Sequence, residues 1–180
     1  MSGKWDVRDI AAANFRTYVD AGGKKRAGDV VVFIGLPLML GITCGLLRHF
    51  GHLNILDVSK LIGGVGGVFT GLLFGLLTNV FTLSLRVRRD EGGLNPDHVV
   101  IRNVRELFAN LSWAVLVGLL LVVLLVVVTA THDPKRPIGV AWTGILVTTF
   151  SHLILSLLMS LKRLWFAHQN VSNLPPKAAS

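Results

Sequence analysis

LIGGVGGVFTGLLFGLLTNVFTLSL, residues 61–85, is a run of 25 residues without a charge. As a helix it is long enough to cross a hydrocarbon core of about 30 Å. Gly63, Gly67, Gly71 and Gly75 recur at every fourth position, and Asn79 takes the next place in the series. In water such a helix is poor, because each glycine costs about 1 kcal/mol against alanine. In lipid the backbone has no solvent to bond to, so the helix forms regardless, and the glycines become a groove that another backbone can approach.

Outward from this run the sequence alternates between charged segments and further uncharged stretches. Together these give four spans, 30–47, 61–85, 107–130 and 138–161, in a chain of 180 residues with 16% charged residues and a mean hydropathy of +0.62. A soluble domain carries about 25% charge. The spacing predicts an all-α integral membrane protein, an antiparallel four-helix transmembrane bundle, with 1–29 as a cytoplasmic amphipathic helix and basic linker and 162–180 as a short tail. The first apolar run starts only at Val30, behind a charged leader, and reads as an uncleaved span. Asp6 and Asp9 argue against an organellar transit peptide.

The net charge of +8 is unevenly placed: alternate connecting segments hold fourteen of the 18 Lys and Arg residues. The positive-inside rule then puts both termini and the 86–106 loop in the cytoplasm of a cell-membrane protein. Lys24, Lys25 and Arg26 before the first span, and Arg86, Arg88 and Arg89 after the second, are placed to meet anionic lipid headgroups. That placement makes the bilayer the partner rather than nucleic acid, since no aromatic-interleaved basic fold accompanies the charge. On the opposite side, His49, His52 and Asp57 share one loop while His132 and Asp133 share the other. No metal or other cofactor is implied; the three histidines are the residues that would form a zinc or proton-sensing site if the loops met.

The first span, VVVFIGLPLMLGITCGLL, carries Pro37 near its middle. Proline has no N–H for the carbonyl of Phe33, so a kink is expected there. Gly41 and Gly45 form a second small-xxx-small pair. Asn95, Pro96 and Asp97 start a helix that VVIRNVREL continues into the third span. Residues 114–128 of that span are aliphatic apart from Gly118, while Asn110 and Trp113 lie near one end. There the indole anchors depth, and Asn110 is in reach of a hydrogen bond from Asn79.

The fourth span mirrors the second. Gly144, Thr148, His152, Ser156 and Ser160 recur every fourth residue and form one small, polar stripe. The natural partner for this stripe is the glycine groove of residues 61–85, which leaves the Gly41/Gly45 face for a neighbouring molecule. His152 is the only ionisable side chain within a span and lies near the middle of 138–161. An intramembrane ionisable residue is a functional candidate by default. Here no carboxylate or lysine accompanies it, and a neutral imidazole bonded to Thr or Asn is the plainer reading. At the N-terminus, residues 4–20 have helical periodicity, with Val7, Ala11 and Phe15 on one side, and predict a helix lying in the interface plane.

Motifs for chemistry are missing from the chain. GGVGG has no following Lys-Ser/Thr, and there is neither a Gly-x-Ser-x-Gly elbow nor a His-Glu-x-x-His. Ser156 and His152 approach a nucleophile–base pair, with no acid to orient the base. The expectation is therefore a non-enzymatic, oligomeric membrane effector or an accessory, anchoring subunit of a larger system. The alternative is an ion or proton conductor that uses His152, Thr148, Asn79 and the threonines of the second span. In size and topology the chain resembles the small four-span proteins of bacterial effector, holin-like or defence-associated systems.

Overall fold

The computed structural model describes residues 7–16, 28, 31–53, 71, 74–75, 78, 81–82, 99–133 and 136–172. Among these the chain is all-helical, without a strand. A short helix α1 (Arg8–Arg16) precedes a π-helical turn (Val31–Gly35) that runs directly into α2 (Leu36–His49). Two long helices follow, α3 (Val99–Thr131) and α4 (Val140–Ser172). Three stretches are long and apolar enough to cross a membrane: Val31–His49, Arg105–Thr131 and Val140–Trp165. They coincide with three of the four runs read from the sequence. Of residues 61–85, the described ones (Gly71, Phe74, Gly75, Thr78, Phe81 and Thr82) are helical and exposed.

α4 is the central helix, packed against both α2 and α3, which do not touch one another among the described residues. Cross-helix contacts set the directions. Glu106 and Trp113 of α3 meet Arg163 and His152 of α4, so these two helices are antiparallel. Phe33, Gly41 and Arg48 meet His152, Gly144 and Ile138, so α2 is antiparallel to α4 as well. The contact between α3 and α4 is an aliphatic seam of Ala114, Val117, Leu121, Leu125, Val128, Leu146, Leu153 and Leu157. The opposite surfaces carry large apolar side chains in the open, among them Met39 at 70% exposure, Ile42, Leu119 and Val123. In water that surface would be an aggregation hazard; against acyl chains it is the expected exterior.

Two sequence expectations change here. The small, polar stripe of the fourth span does not lie on a single neighbour. A step of four residues advances about 400° around a helix, so the stripe drifts by about 40° per step and about 160° from Gly144 to Ser160. Gly144 and Thr148 accordingly face α2, His152 reaches both α2 and α3, and Ser156 and Ser160 are buried further round. The Gly41/Gly45 face is also used within the molecule, against Gly144, Thr148 and Val140.

His152 stands at the middle of the membrane-length stretch Val140–Trp165. Trp113 of α3 and Phe33 of the π-helical turn meet it at that level.

α1 packs on α3 alone among the described elements. Its buried side is not the one that apolar periodicity selects: Asn14 is 2% exposed, whereas Val7 and Phe15 are 53% and 47% exposed. Phe15 nevertheless touches Trp113, with ring centroids 5.9 Å apart and planes inclined at 55°. α3 runs unbroken from Val99 into the membrane segment, as the sequence from Val99 onward suggests.

Candidate functional site

The site begins with a missing donor. Pro37 stands in the first turn of α2 and is fully buried, and it has no N–H to give the carbonyl four residues earlier. That carbonyl belongs to Phe33, inside the π-helical turn. His152 supplies a donor from another helix: its Nδ1 is 2.8 Å from the Phe33 carbonyl oxygen. Its other ring nitrogen, Nε2, is 3.0 Å from Nε1 of Trp113 on α3. The two rings meet edge to face, with centroids 6.2 Å apart and an interplanar angle of 82°. One imidazole thus joins all three membrane-length helices.

The partners fix the proton. An indole N–H only donates, so Nε2 must accept; a carbonyl only accepts, so Nδ1 must carry the hydrogen. The ring is the neutral Nδ1–H tautomer, with both nitrogens committed. Each such bond in a membrane interior is worth about 0.6–2 kcal/mol, and each polar group left unpaired in lipid costs several kcal/mol.

The neighbouring hydroxyls are turned inward on their own helices. Ser156 donates to the carbonyl of His152 at 2.9 Å, Ser160 to that of Ser156 at 2.9 Å, and Thr143 to that of Gly139 at 3.1 Å. Thr149 and Thr78 make the same four-residue return, to Ile145 and Phe74. Ser156 therefore gives its hydrogen to backbone and not to the imidazole. No buried side-chain nitrogen or oxygen among the described residues lacks a hydrogen-bond partner, Asn110 at 1% exposure included.

About two turns from this node, α2 and α4 meet backbone to backbone. A Cβ built on Gly41 would lie 2.7 Å from the Gly144 carbonyl and would collide with the Thr148 hydroxyl. One built on Gly144 would stand 3.3 Å from the Gly41 carbonyl. Gly45 is looser, at 3.5 Å from the Val140 carbonyl. Beside the crossing runs an open apolar groove of about 530 Å³, bordered by Leu38, Gly41, Gly45, Val140, Gly144 and Thr148. For Gly71 and Gly75, by contrast, no atom of the described residues comes within 4 Å of a built Cβ.

Both ends of the bundle carry an arginine. Arg163 donates to Glu106 at 2.7 Å across α3 and α4, partly exposed and so worth about 1 kcal/mol at most. At the other end Arg48 Nε donates to the Ile138 carbonyl at 2.9 Å, tying α2 to the segment that opens α4. His49 and His52 are exposed, and the His132 ring bonds the Arg136 carbonyl. Among the described residues no three metal-ligand side chains come together. Gly63, Gly67, Asn79, Lys24, Lys25, Arg26, Arg86, Arg88 and Arg89 lie outside the described residues.

Reading the sequence for depth alone gave Trp113 the role of an anchor and missed its bond to His152. The available signal was chemical: an indole N–H in lipid needs an acceptor, and a lone histidine at matching depth is one. Asn14 was missed because apolar periodicity assigns asparagine to the wet side of a helix.

Three helices apolar enough to cross a membrane, joined by a polar node at His152, are compatible with a multi-pass membrane protein. No known family model matches the chain, and no curated protein or solved structure proves similar to it.

Proposed function

We propose that the chain is a non-enzymatic structural module of the cell membrane: a four-span bundle with cytoplasmic termini that associates with copies of itself or anchors a partner. The observation that carries this reading is that, among the described residues, no buried side-chain nitrogen or oxygen lacks a hydrogen-bond partner. Both nitrogens of His152 are engaged, and the hydroxyls of Ser156 and Ser160 return to their own backbone. A conducting path needs polar groups that can exchange partners with the permeant ion, and a catalytic site needs a nucleophile free to face its base. His152 reads best as the pin that closes the kinked first span onto α3 and α4. Gly71 and Gly75, which no other described residue covers, support association, since bare backbone lets a second helix come close.

The test is reconstitution of the wild type and His152→Leu in liposomes loaded with a pH-sensitive dye, read together with oligomer size and yield. The module reading expects no proton flux in either protein and a fall in yield or assembly for His152→Leu. Flux in the wild type that disappears in a normally assembled His152→Leu protein would establish the conductor instead.

A further inference from the structure

The groove beside the Gly41–Gly144 crossing has a direction. Its α2 wall is Leu38, Gly41, Ile42, Gly45 and Leu46, and its α4 wall lies between Val140 and Thr149. The first wall runs from near the middle of Val31–His49 toward its end, and the second from the start of Val140–Trp165 toward its middle. The groove therefore leads outward to the end of the bundle where Arg48 meets the Ile138 carbonyl. From Leu38 to Arg48 the helix rises about 15 Å, the depth of one leaflet of a hydrocarbon core of about 30 Å.

At that end the wall turns cationic. Arg48 and His49 stand three and four residues beyond Gly45, on the side of α2 that lines the groove. The Arg48 head is positioned by its Nε, which donates to the Ile138 carbonyl at 2.9 Å. Arg136 adds a cation to the segment that opens α4, with the Asp133 carboxylate 3.8 Å from its Nε.

We propose that this groove is a phospholipid site: one acyl chain lies along it between Leu46 and Leu38, and the phosphate of an anionic headgroup sits at Arg48. Its volume of about 530 Å³ falls in the range of about 300–1,000 Å³ usual for small-molecule sites. The lining is aliphatic or bare apart from Thr148 and Thr149, and Thr149 gives its hydroxyl to the Ile145 carbonyl. A guanidinium presents donors in a plane that matches two phosphate oxygens, and basic pockets between membrane helices take anionic headgroups. The site needs only that α2 and α4 cross a bilayer, and it stands whether or not the chain associates with itself.

Photolabelling of the full chain in phosphatidylcholine nanodiscs tests this, with adducts mapped by mass spectrometry. Two trace probes carry the same diazirine acyl chain on either a phosphatidylglycerol or a phosphatidylcholine headgroup. In the wild type, adducts on Leu38, Ile42 and Ile145 form about fivefold more with the phosphatidylglycerol probe, the preference that one cation at the surface confers. Arg48→Gln keeps an N–H for the Ile138 carbonyl and removes the charge, and the two probes then label the groove equally. Ala141→Phe starts from an exposed position on the groove wall and fills it. Groove adducts then fall for both probes, while those at Leu119 and Val123, exposed on α3, keep the wild-type yield. Equal groove labelling by both probes in the wild type overturns the site, as does undiminished groove labelling in Ala141→Phe. So does a groove without adducts beside labelled Leu119 and Val123, which would mean that a segment of this chain or of a second copy fills it.

Discussion

At Gly144 the fourth helix meets the first span backbone to backbone; about two turns away, at His152, it meets the same helix through one imidazole. The first contact works by having nothing in the way, and its strength is dispersion between closely opposed main chains. The second works by filling a vacancy that Pro37 creates in the hydrogen bonding of its own helix. A crossing of bare glycines fixes how near two helices come but tolerates sliding along the groove. A directed bond from Nδ1–H to one carbonyl fixes register. Together they hold α2 at the right distance and the right height.

The comparison breaks most visibly at the crossing. Gly41→Leu forces a side chain into the Gly144 carbonyl and Thr148, and should cost about 3 kcal/mol in reversible unfolding by steric trapping. Gly45→Ala, with ordinary contact distances at its Cβ, should cost under about 1 kcal/mol in the same measurement. Equal costs would mean that the closest approach lies elsewhere. His152→Leu comes next at about 2 kcal/mol, since it strands both the Phe33 carbonyl and the Trp113 N–H. Trp113→Phe should cost about 1 kcal/mol, and nitrogen-15 spectra of labelled histidine should show the Nε2 resonance of His152 shift as its donor disappears. The smallest effect belongs to Gly75→Ala. With no atom of the described residues within reach of the new methyl, monomer stability stays within about 0.5 kcal/mol, and any change appears only in the association constant.

Much of this was legible in the sequence. The runs 30–47, 107–130 and 138–161 follow from uncharged length, because lipid demands an unbroken internally bonded helix. The vacancy at Phe33 follows from Pro37 alone. Helix pairing was not legible. Period-four spacing says which residues neighbour one another on a helix, but Gly41/Gly45, Gly63–Gly75 and Gly144/Thr148 offer interchangeable small faces. The choice of α2 for Gly144 depends on packing over whole helices, and the drift of about 40° per step hands the rest of the stripe to other neighbours. The face of α1 failed for a related reason: burying Asn14 requires a polar partner brought in by tertiary structure, which periodicity does not encode.

The central claim is that His152 replaces the hydrogen bond that Pro37 removes, and a double-mutant cycle between these residues tests it most directly. Pro37→Ala restores a backbone N–H to the Phe33 carbonyl, so His152→Leu should then strand only Trp113. The account predicts that His152→Leu costs about 1 kcal/mol less in the Pro37→Ala background than in the wild type. Costs that add to within about 0.3 kcal/mol would contradict it and leave His152 and Pro37 as unrelated features of the same bundle.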